Sequence, residues 1–316
     1  MKIATRGSTL ARWQANRVMA LLGRPAELVI VSTRGDERRD VEIHQLGGTG
    51  VFVKEVEQAV LDGRADIAVH SAKDLPSTTE AGLVLAAVPE RADPRDALVG
   101  SSLVGLRTAA LVATGSVRRR AQLAALRPDL QFTGLRGNLE TRVARARDVE
   151  NPVGAIVVAA AALDRLGLSA EADEVLEPGV MLPQVAQGAL AVECREDDAE
   201  TRAALEAIDD RDAHRCVIAE RAFLAELGGG CDLPVGALAH LVDGVDGARE
   251  MLLTVLIATL DGRMVVRAHA RGTDPHATGR AAATALLDGA GGRALLDDQP
   301  LDRAAAASGL PHGEAR

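Results

Sequence analysis

Ala109-Ala110-Leu111-Val112-Ala113-Thr114-Gly115-Ser116-Val117-Arg118-Arg119-Arg120 runs from a short apolar segment through a polar turn into the start of a helix. The apolar segment fits a buried strand. Ser116 is a good helix cap, and apolar residues recur at three- and four-residue spacing through residues 118–126. Arginines in a first turn oppose the helix dipole, so an anion is expected there to offset the repulsion. Backbone N–H groups, hydroxyls and guanidinium forks at a helix N-terminus suit a carboxylate or a phosphate.

The same grammar extends outward. Residues 2–5, 28–33, 65–70, 130–135 and 154–159 read as further strands, and residues 10–22 and 52–61 carry helical spacing. Strands alternating with helices argue for parallel α/β sheets. An internal repeat supports two similar units: Ala4-Thr5-Arg6-Gly7-Ser8 then Thr33-Arg34-Gly35-Asp36 resembles Ala113-Thr114-Gly115-Ser116 then Leu135-Arg136-Gly137-Asn138. After about Asp209 the character changes to a helix over 216–227, a triple glycine, and apolar runs 251–260 and 263–270 separated by Asp261-Gly262. That dipeptide signals an antiparallel hairpin, and with a helix over 276–287 the third unit reads as a small α+β domain. From Asp297 onward periodicity is lost and a disordered tail is expected.

At 316 residues the chain is long enough for two or three domains. Hydrophobic residues make up 47 % but aromatics only 1 %, namely Trp13, Phe52, Phe132 and Phe223, so Ala, Leu and Val must fill the interior. A formal charge of −9 opposes non-specific affinity for nucleic acid or anionic lipid, and so few aromatics leave little for base stacking. Cys194, Cys216 and Cys231 lack a C-x-x-C spacing, which suggests neither a disulfide framework nor a zinc site, and no metal is expected. A reducing cytoplasm is the expected compartment. No uncharged run approaches the roughly 18 residues that would span a bilayer.

Polar residues collect where the expected strands end, at Thr5-Arg6-Gly7-Ser8, Ser71-Ala72-Lys73-Asp74, Thr114-Gly115-Ser116 and Arg136-Gly137-Asn138. Open α/β sheets bind ligands outside the carboxyl ends of their strands. Taken alone, Arg118 to Arg120 could be a solvated helix face. With Arg6 and Ser8, Lys73, and Arg136 with Arg142 at other strand ends, the pattern instead calls for a ligand with several anionic groups. Gly47-Gly48-Thr49-Gly50 fits neither a P-loop nor a dinucleotide fingerprint. Cys231 follows Gly228-Gly229-Gly230, where missing side chains allow close approach of backbone to ligand, whereas Cys194 and Cys216 sit in apolar patterns as structural thiols do.

These segments, in order, resemble the porphobilinogen deaminase family from Ile3 to about Leu296. The resemblance is carried by Ile3 to Ser8, Ala65 to Asp74, the Thr-Gly-Ser-x-Arg-Arg turn, Leu135 to Asn138, Arg165-Leu166-Gly167-Leu168, Gln187 to Arg195, and Gly229-Gly230-Cys231 before Pro234-Val235-Gly236. It implies two periplasmic-binding-protein-like α/β domains flanking a cleft plus a small α+β C-terminal domain. The implied boundaries are 1–90 with 186–207, then 91–185, then 208–296, followed by the tail 297–316. It implies a monomeric transferase that tetrapolymerises porphobilinogen with loss of ammonia to the linear tetrapyrrole hydroxymethylbilane, in tetrapyrrole (haem) biosynthesis. The covalent primer would be a dipyrromethane held as a thioether on Cys231. Asp74 matches the family's catalytic aspartate, suited to stabilise positive charge that develops during elimination and coupling.

By the same resemblance Lys73, Asp74, Thr114, Ser116, Arg118, Arg119 and Arg136 bind the cofactor. Arg6, Ser8, Phe52, Arg142, Arg165 and Gln187 fall on the substrate side, with Phe52 at a ring-stacking position. Each pyrrole ring brings two carboxylates, which answers the demand for repeated anion sites. Three positions depart from the pattern: Gln45 and Thr49 stand where many members carry lysine, and Gly115 replaces a frequent serine. Two rival readings stay open on the residues alone, a non-catalytic binder of small anions and a phosphate-handling transferase using the Gly47 to Gly50 loop. The first leaves Gly-Gly-Gly-Cys231 without a purpose, and the second lacks a Walker lysine and metal-binding carboxylates.

Overall fold

The computed structural model describes residues 1–33, 53–135, 137–148, 150–228, 233–244 and 247–297. The first sheet contains β1 (Lys2–Arg6), β2 (Glu27–Val31), β3 (Ile67–Ser71), β4 (Leu83–Ala87) and, from far downstream, β10 (Leu190–Arg195), in the order β2-β1-β3-β10-β4. The second contains β5 (Asp96–Val99), β6 (Leu111–Ala113), β7 (Gln131–Thr133), β8 (Val153–Ala159) and β9 (Glu174–Leu176), in the order β7-β6-β8-β5-β9. The two orders are equivalent: second strand, first, third, a crossing strand, fourth. In each sheet the first three strands run parallel, and the crossing strand, β10 or β5, is antiparallel to both neighbours. This two-sheet α/β design accords with the alternating strands and helices of the sequence and with the two α/β domains that the family resemblance implies. The repeated Thr-Arg-Gly-Ser and Thr-Gly-Ser segments both close the first strand of their sheet.

Buried parallel strands read as continuous apolar runs, and β3 and β8 are buried along nearly their whole length. Helix α1 (Thr9–Leu22) follows β1, capped by Ser8, whose hydroxyl accepts from the Ala11 N–H, and it ends at Gly23 in the left-handed region. Helix α2 (Lys54–Leu61) packs under the first sheet. Helices α3 (Val117–Leu126), α4 (Leu139–Arg147) and α5 (Ala160–Arg165) serve the second sheet, and Asn138 caps α4 by accepting from the Thr141 N–H at 2.9 Å. Helix α6 (Ala199–Glu206) packs against β4 and β10.

The third unit is an antiparallel sheet, β11 (Val235–Asp243), β12 (Arg249–Ala258) and β13 (Val265–Gly272), covered by α7 (Arg211–Glu226) and α8 (Pro275–Thr284). The hairpin across Asp261-Gly262 is β12 to β13. The spacing missed β11, whose apolar residues lead directly out of the Gly-rich segment. One hydrophobic cluster runs from Val255 and Ile257 through Phe223 of α7 to Ala72, Leu75, Val185, Ala186 and Ala189. The third unit's core therefore continues beneath the strand-end turn Ser71 to Asp74 and beneath the segments that connect the two larger sheets.

Those connecting segments are bound tightly. The Ala92 N–H donates to the Gly188 carbonyl at 3.2 Å, and a side chain at Gly188 would stand 2.4 Å from the Ala92 oxygen, at a φ of +87°. Glu220 of α7, fully buried, accepts from Arg91 Nη1 at 2.6 Å and from the backbone N–H groups of Ala186 and Ala239 at 2.6 and 2.8 Å. One carboxylate thus ties both connections to β11.

Candidate active site

Two adjoining hollows open where the strands end. One is lined by Ala72, Lys73, Ser116, Arg118, Gln184 and Arg221, among others. The other is lined by Arg6, Ser8, Gln14, His70, Ser71 and Asp74, among others. A single 3₁₀ turn, Ala72–Asp74, lies between them: Lys73 borders the first and Asp74 the second. Leu75 and Ala72 anchor that turn in the shared core, and the Ala72 N–H donates to the Ala189 carbonyl at 3.0 Å. Within the hollows, Gln14 Nε2 donates to Ser71 Oγ at 2.7 Å, and Gln184 Nε2 donates to the Lys73 carbonyl at 3.2 Å.

The run Arg118 to Arg120 is no solvated face. Arg118 and Arg119 are buried, and Arg120 alone is exposed, over the Phe132 ring at 5.8 Å. Both buried guanidiniums converge on Asp96, the first residue of β5 and fully buried: Arg118 Nη1 donates to Oδ2 at 2.8 Å and Arg119 Nε to Oδ1 at 2.9 Å. Gln187 Nε2 donates to the same Oδ1 at 2.9 Å, while its Oε1 accepts from Lys73 Nζ at 3.2 Å and Arg119 Nη2 at 3.4 Å. Burial alone would push the Asp96 carboxyl up, but Arg118 and Arg119 hold it well below the usual carboxylate range. Burial and the neighbouring Arg119 bring the Lys73 ammonium down to about 8, against the opposing pull of Asp74 and Asp96.

Arg118 spends Nη1 on Asp96 and on the Leu182 carbonyl, and its Nε and Nη2 are buried with no hydrogen-bond partner among the described residues. Buried donors without acceptors cost about 1–3 kcal/mol each, and the Nε/Nη2 edge has the fork geometry that a carboxylate accepts. The donor set at this hollow therefore fits a cofactor bearing carboxylates. Ser116 caps α3, accepting from the Arg119 N–H at 3.4 Å, and Thr114 Oγ1 accepts from the Ser116 N–H at 3.2 Å, so the turn is held by its own hydroxyls.

The remaining expected residues divide. Arg6 and Ser8 stand beside Asp74 in the second hollow, both half-buried. Arg142 is on α4, its Nε donating to the Gly137 carbonyl at 2.9 Å. Arg165 is buried at the end of α5, where Nη2 donates to the Gly188 carbonyl at 2.7 Å and the guanidinium lies 5.8 Å from the Trp13 ring centroid; burial lowers it to about 10. Gln187 is fully buried within the Asp96 network. Cys194 and Cys216 are free, buried thiols, each pushed up to about 11 chiefly by burial. Phe52, Arg136, Cys231, Gln45 and Thr49 lie outside the described residues, as do the Gly47 to Gly50 loop and positions 298–316. Sequence reasoning missed Asp96. Its signal was a charged residue opening the apolar run Ala97-Leu98-Val99, close to a chain rich in arginines that needed a counter-charge.

Among the described residues no helix is long and apolar enough to cross a membrane, and no group of three or more His, Cys, Asp or Glu side chains could hold a metal ion. Fold and site together define a two-sheet α/β protein with fixed cations and one half-buried carboxylate, Asp74, gathered where the strands end. Two family models cover most of it: "Porphobilinogen deaminase, dipyromethane cofactor binding domain" matches residues 1–203, and "Porphobilinogen deaminase, C-terminal domain" matches residues 214–288. The chain belongs to the porphobilinogen deaminase family, transferases that carry a dipyrromethane cofactor and make hydroxymethylbilane in tetrapyrrole biosynthesis. It is 48 % identical to the porphobilinogen deaminase of Roseiflexus sp. over 93 % of this chain and 97 % of that one. With the Brevibacillus brevis protein of the same name it shares 42 % identity over 94 % of this chain and 96 % of that one. A likeness to an arginine-specific periplasmic binding protein of Salmonella typhimurium is loose, with a TM-score of 0.38 and 12 % identity over 68 % of this chain and 93 % of that one.

Proposed function

We propose that this chain makes hydroxymethylbilane from porphobilinogen with Asp74 as the catalytic residue and Cys231 as the thioether anchor of the dipyrromethane primer. The bound primer supplies the free pyrrole α-carbon at which the chain grows. Lys73, Thr114, Ser116, Arg118, Arg119 and Arg136 hold its acetate and propionate groups; Arg6, Ser8, Phe52, Arg142, Arg165 and Gln187 serve the incoming substrate. The observation that carries this reading is the sharing of one rigid turn by two hollows, with the cation Lys73 toward the arginine-rich side and Asp74 toward Arg6 and Ser8. Asp74 there meets the ring N–H groups of the substrate and offsets the positive charge that grows as ammonia leaves. Arg118 supplies the unpartnered fork for a primer carboxylate. Within this reading the working lobes are 1–90 with 186–207, 91–185 and 208–296, and the enzyme acts as a cytoplasmic monomer.

The test is the intact mass of purified protein alongside Cys231→Ala and Asp74→Ala. An adduct of two linked pyrrole units is expected on the unaltered chain and on Asp74→Ala but not on Cys231→Ala. Asp74→Ala is expected to retain the primer and lose at least about a hundredfold in kcat, the scale of a lost charge-stabilising group. An adduct on Cys231→Ala would refute the anchor, and near-normal turnover by Asp74→Ala would refute the catalytic role.

A further inference from the structure

Asp96 lines neither hollow, yet Arg118, Arg119 and Lys73 all lead to it. It takes Arg118 on one oxygen and Arg119 with Gln187 on the other, and Gln187 passes the connection on to Lys73. The positions in the fold give this chain of contacts its meaning. Asp96 opens β5, the strand that carries the polypeptide into the second sheet, and Gln187 stands just ahead of β10, the strand that carries it back. Lys73 lies on the turn of the first sheet and the two arginines on the first turn of α3 in the second.

We infer that Asp96 is a positioning residue: it sets the aim of Arg118 and Arg119 at the primer's carboxylates and, through Gln187, registers the Lys73-Asp74 turn against them across the two connections between the sheets. The inference rests on the primer assignment proposed above and goes beyond it, because Asp96 itself contacts no reacting group. The physical argument is one of charge. Arg118 and Arg119 are adjacent in sequence and both buried, with the Lys73 ammonium close by; three cations held together without a carboxylate would turn apart toward solvent. One carboxylate shared by both guanidiniums fixes each by a single edge. Arg118 then keeps Nε and Nη2 for a ligand, and Arg119 is further locked by donating Nη1 to the Val157 carbonyl at 2.9 Å. Gln187 is the right spacer because an amide can donate to Asp96 and accept from Lys73 at once, which neither a carboxylate nor an ammonium can do.

The experiment compares Asp96→Asn with the unaltered full-length protein. Circular dichroism checks folding, intact mass gives the fraction carrying the primer after incubation with porphobilinogen, and steady-state kinetics give kcat and KM. For a folded Asp96→Asn chain the expected result is primer occupancy lowered at least fivefold, and kcat per primed molecule lowered at least tenfold. Occupancy and kcat both within twofold of the unaltered protein would overturn the inference and mark Asp96 as a structural counter-charge only. If Asp96→Asn does not fold, Gln187→Met decides, since it leaves Asp96 with its bonds to both arginines while removing the amide that joins Asp96 to Lys73 and also contacts Arg119 Nη2 and the Pro94 carbonyl. It is expected to carry the primer normally and to lose at least tenfold in kcat per primed molecule; an unchanged kcat would overturn the inference. Absence of the adduct from the unaltered protein would bring down the primer reading and this inference with it, whereas a normal adduct with normal kcat in the variants removes only the positioning role.

Discussion

The two α/β sheets present the same device, a first strand ending in a Ser-capped helix, and equip it in opposite ways. In the first sheet Ser8 caps α1, Arg6 before it is half-buried, and the hollow they border also holds Asp74. In the second sheet Ser116 caps α3, and Arg118 and Arg119, which follow, are buried and bound to Asp96. A ligand that remains through every cycle gains from cations whose orientation is already set, because no ordering cost falls at the moment of binding. A ligand that arrives, reacts and moves on is better met by side chains able to follow it. On the proposed roles, the fixed set serves the primer and the half-buried set serves the substrate.

The sharpest way to break this comparison is to remove one arginine from each side. Arg119→Met strips a buried carboxylate of one of its two guanidiniums and is expected to destabilise the fold by about 3–5 kcal/mol, together with loss of primer. Arg6→Met is expected to change stability by less than about 1 kcal/mol and to raise KM for porphobilinogen more than tenfold with the primer intact. Urea unfolding with intact-mass analysis reads both, and equal stability losses would abolish the distinction between fixed and adaptable sites.

How far the residues disclosed this arrangement depends on what kind of signal each carried. The parallel strands β3 and β8 were legible because both of their faces are buried, which leaves apolar runs. Strands β5 and β10 were not, because Asp96 opens one and Glu193 and Arg195 sit in the other, and their pairing depends on partners more than 50 residues away. The site showed a similar split. Arg118, Arg119, Lys73 and Asp74 stand at strand ends, where a polar residue is conspicuous, but Asp96 reads as one more charge in a proline-broken stretch, and its partners are contributed by other segments. The cap Ser116 was the most local signal, and the structure bears it out; Ser8 and Asn138 cap their helices in the same way without having been read as caps.

The fixed site also has a brace. Gly262, in the β12 to β13 turn at a φ of +72°, sits so close to α3 that a side chain there would stand 2.3 Å from the Ala125 nitrogen. Gly262→Ala must lift the hairpin off the helix and is expected to cost about 1–3 kcal/mol. If bracing matters to function, primer occupancy falls with it, and kinetics attributable to Arg6 and Ser8 do not change. A variant that unfolds earlier but holds primer normally would leave the arginines fixed by Asp96 alone.

The buried charge beneath the two sheets contrasts in the same way. Asp96, held low, favours folding at all pH values above the ordinary carboxylate range and loses that contribution only on acidification. Glu57 of α2 is pushed up to about 7, first by burial and then by Glu193, with His70 and Arg221 only partly compensating. Its folded form therefore binds a proton more tightly than the unfolded chain does, so stability falls as pH rises from about 4.5 to about 7, and the cost is fully present above that. Glu57→Gln is expected to flatten this decline and to be more stable than the unaltered protein at pH 8 by on the order of 1–2 kcal/mol. Urea midpoints at pH 5 and pH 8 measure it, and parallel declines in both proteins would shift the cause to another group.

The smallest effect tests what the two sites have in common. Ser8 and Ser116 each accept from a backbone N–H of the helix they begin, so Ser8→Ala and Ser116→Ala are both expected to cost about 1 kcal/mol of stability. The hydroxyl contacts are long, 3.2 and 3.4 Å, and the losses should fall at the lower end of the range for caps. Equal losses in stability make the functional readouts directly comparable. Ser116→Ala frees the first turn that carries Arg118 and Arg119, and its consequence should appear in primer occupancy, softened because Asp96 still holds both side chains. Ser8→Ala frees a turn whose Arg6 is only half-buried, and its consequence should appear in KM, undamped. A larger catalytic effect at Ser116 than at Ser8 would mean that the cap, rather than the buried carboxylate, sets the aim of the primer-side arginines.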